Sequence, residues 1–352
     1  MPAAHALYGA RSLAQWIRGG GRPQRASLGY ATLLKWHAYW FERNWTTQVE
    51  RLGAATLPED PVFILGLWRS GTTLLHELLA AATGWVTPQT WQCFNPSTCF
   101  LTGPPAPRTV GRPMDQGLIR SHGPQEDEFA LLLLGEPSAY RGFIDPRRLR
   151  ECGTQLGSPD PDPLTRWQMF IRGIAAGAAT RVLLKSPNHS FRLPLLRARF
   201  PRAQFIWIGR QTGEVLASNA KMWRTMIDRY GLWSCPPREI EGFLEAMVIA
   251  CTRVLGECVQ ATPRERLLWV DFEALRADPR AVLREVLEYL GVPPPSESSA
   301  ARLDAAIARV PVHAGTRAEL PDAPHVRELE AMRVAARRQF GRAFARNGDL
   351  PL

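Results

Sequence analysis

The sequence is poor in lysine and has no long apolar run. Lys35, Lys185 and Lys221 are its only lysines, so the other 40 of its 43 basic residues are arginines. The longest uninterrupted apolar stretches, 129–134 and 246–251, fall far short of the roughly 20 residues that span a bilayer. The sequence therefore predicts no membrane-spanning helix. Each lysine becomes worth examining, because a mobile ammonium group can act where an arginine cannot.

Cysteines are few and scattered. No two of them form a C-x-x-C pair, and no cysteine–histidine cluster has the spacing of a zinc site. The six positions are Cys93, Cys99, Cys152, Cys235, Cys251 and Cys258. Scattered cysteines in a long chain are typical of reduced thiols, so we expect a cytoplasmic protein with no metal.

The composition provides material for a large core and an excess of positive charge. Hydrophobic residues make up 45% of the chain, which excludes a mainly disordered protein. The net charge of +10 favours an anionic partner, which is a nucleic acid, a membrane surface or a phosphorylated small molecule. The arginines are spread along the chain and no nucleic-acid-binding module is evident. A basic nucleic-acid-binding protein is therefore kept only as an alternative, and we expect no nucleic-acid partner.

Four short apolar runs are each followed by a helical pattern. This alternation predicts an α/β fold with a parallel sheet flanked by helices on both faces. The predicted strands are 61–65, 181–184, 204–208 and 267–270, and the predicted helices are 72–82, 191–200, 213–223 and 279–290. We expect a helical N-terminal extension at 1–58, a core at 59–295, and a C-terminal loop and helix at 296–352 that complete the same domain.

A glycine-rich loop connects the first predicted strand to its helix. Residues 66–73 read G-x-x-x-x-G-T-T, and such glycines let consecutive backbone N–H groups curl around an anion at a helix start. The sheet is therefore predicted to be of the P-loop type. ATP- and GTP-using enzymes carry lysine directly after the second glycine, whereas this chain has Thr72 there. Arg69 supplies a cation within the loop instead, and a P-loop nucleotide kinase is the alternative.

Two further predicted strands end in basic residues. The second is followed by Lys185, and the third by Arg210, with Ser218 eight residues further along the next helix. Ligands of parallel sheets bind at the carboxyl ends of the strands. We therefore interpret Lys185 as a cation over a transferring group, and Arg210 with Ser218 as a second phosphate site. The alternatives are a solvated lysine and a surface arginine paired with Glu214.

These three motifs together resemble the PAPS-dependent sulfotransferase superfamily, most closely its bacterial branch with PRSGTT and LKSPxH motifs. Stretches at 112–115, 124–130 and 271–279 are similar to the same branch, so the resemblance runs from about residue 60 to 295. It implies a sulfotransferase that uses 3′-phosphoadenosine 5′-phosphosulfate (PAPS) as donor and releases 3′,5′-diphosphoadenosine (PAP). No metal is required for this chemistry in principle, since it depends on positioning and electrostatic stabilisation.

The resemblance also implies a role for each motif. The residues implied to bind the 5′-phosphosulfate are Arg69, Ser70, Gly71, Thr72 and Thr73. Arg210 and Ser218 would bind the 3′-phosphate, and Lys185 would contact the bridging oxygen or the departing phosphate. Trp68 and Trp207 replace a proline and a histidine of the family motifs, and residues 211–212 replace Asp-Pro. These departures remove no assigned phosphate contact.

An acceptor hydroxyl needs a base to remove its proton, and the segment before the apolar run at 129–134 offers candidates. The candidates there are Glu126, Asp127, Glu128 and His122, of which we select Glu126, Glu128 and His122. Acidic residues in a first helical turn also stabilise the helix dipole, so the alternative is a structural role. His76, on the helix after the glycine-rich loop, is expected to be an ordinary packed or solvated histidine, and His189 and His313 are weaker candidates to line the site.

The aromatic content bears on the acceptor. Twelve tryptophans are available either to line an apolar pocket or to fill the core. We expect a small, hydrophobic or aromatic acceptor, such as an alcohol, phenol, lipid or secondary metabolite. The N-terminal segment has the pattern of amphipathic helices packed on the core, with peripheral membrane contact as the alternative.

Overall fold

The structure is a computed structural model that describes residues 28–114, 117–157, 164–178, 180–309 and 318–341, with side chains from residue 39 onward. The chain forms two compact units that interleave along the sequence. The first draws on Met1–Pro58, Val86–Leu184 and Ser218–Met247, and the second on Glu59–Trp85, Lys185–Ala217 and Val248–Leu352. The domain boundaries expected after residues 58 and 295 stay a prediction.

Strands and helices alternate through much of the described chain. The strands are β1 Val62–Leu65, β2 Thr109–Gly111, β3 Leu118–Arg120, β4 Leu183–Lys185, β5 Gln204–Gly209 and β6 Leu267–Asp271. The α-helices are α1 Leu28–Leu52, α2 Thr72–Thr83, α3 Thr90–Cys93, α4 Cys99–Thr102, α5 Glu128–Leu134, α6 Arg141–Ile144, α7 Leu149–Thr154, α8 Thr165–Ala175, α9 Leu193–Arg199, α10 Thr212–Tyr230, α11 Pro237–Ala261, α12 Phe272–Ala277, α13 Pro279–Tyr289, α14 Glu297–Ile307 and α15 Pro324–Phe340. Short 3-10 helices cover Pro146–Arg148, Pro187–Arg192 and Arg264–Arg266.

The four-stranded sheet has the strand order β4-β1-β5-β6, and β1, β5, β6 and the last residue of β4, Lys185, belong to the second unit. β1 pairs with β5 and β5 with β6, both in parallel, with Val62 opposite Gln204 and Phe205 opposite Leu267. β1 is buried along its whole length, which explains why its sequence is continuously apolar rather than alternating. α2 packs against β1, and α13 and α15 pack against β6. The predicted α/β fold with a parallel sheet flanked by helices is confirmed.

The predicted elements differ from the structure mainly after β4. That strand extends to Lys185, one residue beyond the prediction. The helix predicted at 191–200 begins as the 3-10 helix Pro187–Arg192 and becomes α9 only at Leu193. The reason is local, because the Ser186 hydroxyl caps the turn by accepting from the Asn188 N–H at 3.1 Å, and Pro187 suits its first position.

The first unit is largely helical. Its α1 agrees with the helix expected near the N-terminus, although residues 1–27 of that prediction lie outside the described residues. Gln48 of α1 is fully buried and forms two backbone hydrogen bonds. Its Nε2 donates to the Pro96 carbonyl at 2.7 Å, and its Oε1 accepts from the Phe100 N–H at 2.9 Å. These bonds hold α1 on the segment that leads into α4.

Aromatic side chains fill the interior of this unit. Tyr140 stacks on Phe143 at 4.7 Å between ring centroids, Phe143 lies 4.2 Å from Trp223, and Trp223 lies 4.2 Å from Phe243. Trp223 is completely buried, as expected of a core residue. No helix in the described part of the chain is long and apolar enough to cross a membrane. The sequence did not predict the β2–β3 hairpin, because its short strands are largely exposed and lack an apolar run.

Candidate functional site

The loop between β1 and α2 adopts a tightly curled backbone. Gly66 and Gly71 have positive φ values of 145° and 103°, and Arg69 has a φ of 70°. The Ser70 N–H and hydroxyl both donate to the Leu67 carbonyl, at 3.1 and 2.7 Å. The predicted strand–loop–helix arrangement is therefore present, and α2 begins at Thr72 directly behind the loop. The positive end of the α2 dipole faces whatever the loop binds.

Both glycines of the loop are required by close packing as well as by conformation. A Cβ atom at Gly66 would lie 2.6 Å from the Ile208 carbonyl oxygen of β5. A Cβ atom at Gly71 would lie 2.3 Å from the Phe272 ring of α12. The loop is thus drawn against the ends of two elements, and neither position has room for a side chain.

Lys185 lies at the carboxyl end of β4 and is buried, with 2% of its surface exposed. Its Nζ donates to the Thr73 hydroxyl at 3.4 Å, in the first turn of α2. The alternative of a solvated lysine is therefore wrong. The structure brings the predicted cation of the second motif to the predicted phosphate loop of the first.

His76 lies on α2 one turn after Thr72 and is buried. Burial lowers the pKa of His76 well below its usual value, and the charge of Lys185 lowers it further. The imidazole is therefore neutral at pH 7. The sequence suggested an ordinary packed histidine and missed its proximity to Lys185, since no local signal relates residues so distant along the chain.

Arg210 follows β5 and is held from three sides. Its Nε and Nη2 donate to Glu214 Oε2 at 2.8 and 2.5 Å, and its Nη1 donates to the Arg69 carbonyl at 3.2 Å. The guanidinium carbon lies 4.7 Å from the centroid of the Phe272 ring. The pairing with Glu214 that was kept as an alternative is present. Phosphate binding by Arg210 and by Ser218, which lies on α10 in the first unit, stays a prediction.

Helix α15 adds charged residues that the sequence analysis missed. The Thr212 hydroxyl donates to Glu330 Oε2 at 2.6 Å, and Arg333 pairs with the same carboxylate at 2.5 Å. Burial alone would raise the pKa of Glu330, but the hydrogen bonds from Arg333 and Thr212 outweigh it and hold that pKa below its usual value. Arg337 Nε donates to Asp271 Oδ2 at 2.8 Å, at the end of β6.

These contacts surround a small cavity of about 30 Å³ in the second unit. Its polar lining comes from Ser70, Arg210, Thr212 and Arg333, and its aromatic lining from Trp207 and Trp269. The indole rings of the two tryptophans are nearly parallel, with centroids 6.3 Å apart. Trp207, which departs from the family motif, is therefore buried beneath the loop residues rather than exposed beside them.

The candidate bases lie in the first unit and differ in exposure. Asp127 and Glu128 are completely buried, and Asp127 Oδ2 accepts from the Trp167 indole N–H at 2.6 Å. Glu126 is only half-buried, and its Oε1 accepts a hydrogen bond from the Tyr140 hydroxyl at 3.0 Å. His122 is also half-buried, with Nδ1 3.3 Å from the Ser121 hydroxyl.

Other histidines have different surroundings. His189 is completely buried and makes an edge contact with Phe63, so it packs in the core of the second unit. His313 lies outside the described residues. Among the described residues, no group of three or more His, Cys, Asp or Glu side chains is arranged to hold a metal ion.

A family model and the curated relatives of this chain point to the same family. The model of the sulfotransferase family matches residues 61–296. Omega-hydroxy-beta-dihydromenaquinone-9 sulfotransferases of Mycobacterium bovis and Mycobacterium tuberculosis are each 30% identical to this chain over 253 residues. The match covers 69% of this chain and 65% of the relative, so the chain spans slightly less than two thirds of those relatives.

Two solved structures share the fold. The crystal structure of sulfotransferase STF9 from Mycobacterium avium superposes with a TM-score of 0.66 at 18% identity, covering 94% of this chain and 92% of that one. Sulfotransferase STF1 from Mycobacterium tuberculosis gives a TM-score of 0.62 at 17% identity, covering 91% and 89%. At these identities the comparison supports the architecture alone.

Proposed function

The chain belongs to the sulfotransferase family, and we propose that it transfers a sulfuryl group from PAPS to a hydroxyl of a small hydrophobic acceptor. The observation that carries this proposal is the buried Lys185, whose Nζ lies 3.4 Å from the Thr73 hydroxyl at the loop before α2. This arrangement places a buried positive charge beside a backbone anion cradle, where it would stabilise the negative charge of a bound phosphosulfate.

The residues of the loop fit such a donor. Gly66 and Gly71 leave no side chain in the cradle, and the N-terminus of α2 contributes its partial positive charge. We propose that Arg69 to Thr73 bind the 5′-phosphosulfate. Arg210 and Ser218 are proposed for the 3′-phosphate, for which Arg210 would use guanidinium hydrogens not directed at Glu214.

The proposed reaction requires little covalent chemistry from the protein. The donor supplies a sulfur–oxygen bond that breaks at the bridging oxygen while the acceptor oxygen bonds to sulfur. Lys185 stabilises the negative charge left on the 5′-phosphate, in the way that fixed cations stabilise phosphoryl transfer. A carboxylate of the chain takes the proton of the acceptor hydroxyl. No step requires a metal, since Arg69 and Lys185 provide the positive charge.

Glu126 is the best supported of the candidate bases. Its carboxylate is accessible to a ligand, and the Tyr140 hydroxyl orients it, whereas the Glu128 carboxyl is completely buried. We therefore expect Glu126→Gln to lower kcat by about 10²-fold, in line with the loss of a general base. Glu128→Gln and His122→Ala serve as the comparison. Full activity in all three variants would contradict the assignment of the base to Glu126, Glu128 or His122.

The acceptor is proposed to be a lipid-like alcohol or phenol. The support is the relative whose name specifies a hydroxylated menaquinone derivative as substrate. Tyr39 and Trp40 on α1 are exposed, at 60% and 38%, and Trp and Tyr rings favour a membrane interface. Peripheral membrane contact through α1 is part of this proposal. Co-sedimentation with lipid vesicles, compared between the intact protein and a Tyr39→Ser, Trp40→Ser double variant, tests it.

The first experiment is a calorimetric titration with PAP, AMP and Mg-ATP. We expect PAP to bind much more tightly than AMP, and Arg210→Ala to abolish that preference because the 3′-phosphate loses its cation. A preference for Mg-ATP would instead indicate a nucleotide kinase. Equal binding of PAP and AMP would contradict the proposed donor.

A further inference from the structure

The hydroxyl of Ser190 bridges both backbone polar groups of the first loop glycine. Its oxygen accepts a hydrogen bond from the Gly66 N–H at 2.8 Å and donates to the Gly66 carbonyl at 3.0 Å. Ser190 is completely buried, so bulk water does not replace these hydrogen bonds when the hydroxyl is removed, and their loss costs free energy. One side chain therefore bonds to both the backbone donor and the backbone acceptor of the residue that follows β1.

The position of Ser190 connects two of the motifs. It lies in the 3-10 helix Pro187–Arg192, which starts two residues after Lys185. Lys185 at the end of β4 and Ser190 in the turn that follows it are therefore close together in the chain. Gly66 has a φ of 145°, a backbone conformation that glycine adopts readily and other residues rarely adopt. The rings of Trp68 and Phe191, with centroids 5.6 Å apart, also join the loop to the turn, but the Ser190 hydroxyl bonds to the loop backbone itself.

We infer that Ser190 is a positioning residue that sets the distance between the phosphate loop and Lys185. By holding Gly66 on both sides, it keeps the loop N–H groups and the Lys185 ammonium in one rigid arrangement before the nucleotide arrives. Preorganisation of this kind increases affinity because the ligand does not have to order the site. This role in nucleotide binding rests on the proposed donor, whereas the rigidity of the loop does not.

The test compares Ser190→Ala with a matched deletion elsewhere in the sheet. Tyr289→Phe is the control, because its buried hydroxyl also donates to a strand carbonyl, that of Phe205 at 3.3 Å, near the opposite end of β5. Hydrogen–deuterium exchange of peptides that cover residues 62–74 reports the loop directly. PAP calorimetry reports binding. Ser190→Cys, with a weaker donor and acceptor, supplies an intermediate case.

We expect Ser190→Ala to speed exchange in the loop about tenfold and to weaken PAP binding about tenfold, as the loss of roughly 1.4 kcal/mol predicts. Tyr289→Phe should leave both unchanged even if it lowers the free energy of unfolding. Unchanged loop exchange in Ser190→Ala would overturn the inference, whatever the nucleotide does. Faster exchange with unaltered PAP affinity would overturn the link to binding. Failure of the wild-type protein to bind PAP contradicts the proposed donor, and the exchange data still decide whether Ser190 holds the loop.

Discussion

At the scale of single residues, the proposed chemistry depends most on the position of Lys185. The buried Lys185 Nζ lies 3.4 Å from the Thr73 hydroxyl in the first turn of α2. Because little water screens this ammonium group, it would interact strongly with a phosphate bound there. We predict that Lys185→Ala lowers kcat by about 10²–10³-fold, the range seen when one preorganised charge-stabilising donor is removed. Lys185→Arg should restore little, because a planar guanidinium is larger than the ammonium group it replaces. Steady-state kinetics with a phenolic acceptor measure both effects.

Lys221 supplies the matched control for that experiment. It is another of the three lysines, and its side chain is exposed on α10. Lys221→Ala removes the same charge from a solvated position, so its kcat should equal that of the wild-type protein. A similar loss of rate in both variants would show that net charge, rather than the position of Lys185, sets the rate.

The burial of His76 predicts how the free energy of unfolding depends on pH. Its folded-state pKa is depressed, first by burial and second by the Lys185 charge, while the unfolded-state pKa stays near 6.5. Below pH 6.5 the unfolded chain binds a proton that the folded protein does not, so the free energy of unfolding rises with pH in this range and levels off above it. The slope below pH 6.5 approaches about 1.4 kcal/mol per pH unit for this one group.

Urea unfolding between pH 5 and 7.5 measures this slope. In His76→Gln the side chain stays neutral and polar, so the contribution of the imidazole disappears and the profile becomes flatter. His325→Gln, which replaces a half-buried histidine in the first turn of α15, provides the comparison. An identical slope in the wild-type protein and His76→Gln would contradict the assignment.

At the scale of elements, the start of α2 depends on a glycine in two ways. Gly71 has a φ of 103°, and a Cβ there would lie 2.3 Å from the Phe272 ring. Gly71→Ala should therefore lower the free energy of unfolding by more than the roughly 1–3 kcal/mol of backbone strain alone. It should also abolish PAP binding, because the loop must move away from α12. Gly291, with a φ of 67° and no atom within 4 Å of a Cβ, is the control in the same unit.

Gly291→Ala separates the strain from the clash. It introduces the same type of backbone strain without a collision, so we expect a smaller loss of stability and unchanged PAP affinity. Urea unfolding gives the two free energies, and calorimetry gives the two affinities. Equal destabilisation by both variants would mean that the Phe272 ring moves aside at little cost.

The same elements show which features a single sequence reveals. β1, β5 and β6 are short, buried and apolar, and each precedes a helix, so a local pattern predicts them. The loop at 66–73 and the lysine at the end of β4 also carry local signals. By contrast, the hydrogen bonds from Ser190 to Gly66 join residues 124 positions apart, and no periodicity encodes that pairing.

Helix α15 shows that predicting an element does not predict its contacts. Its amphipathic pattern predicts a C-terminal helix, but the pattern does not reveal that Glu330 accepts from Thr212 or that Arg337 pairs with Asp271. Each of these bonds depends on where α15 packs against β6. Similarly, the sequence left Arg210 with two interpretations. The ion pair with Glu214 is real, and it does not by itself decide whether a phosphate also binds.

At the scale of the whole molecule, several arginines form ion pairs within the chain. The described arginines repeatedly bond to carboxylates, as Arg147 does to Asp145, Arg166 to Glu42 and Arg333 to Glu330. Charges engaged in this way do not form a continuous basic surface of the kind that tracks a nucleic-acid backbone. The net charge of +10 is therefore compatible with a small anionic ligand, and the nucleic-acid alternative has no specific feature to support it.

Binding of a small anionic ligand should raise the free energy of unfolding of the whole protein. A ligand that binds only the folded state raises the free energy of unfolding by about 2.7 kcal/mol at 100 times its Kd. PAP at that concentration should produce this increase in the wild-type protein, and AMP at the same concentration should produce much less, because it lacks the 3′-phosphate. The increase should be unaffected by EDTA, because the proposed site draws its positive charge from Arg69 and Lys185 and uses no metal. In Lys221→Ala the full increase should remain, whereas Lys185→Ala should lose most of it. Stabilisation that requires Mg²⁺, or that AMP produces equally, would contradict both the donor and the role of the buried lysine, because each depends on a site built for a nucleotide with two separate phosphate groups.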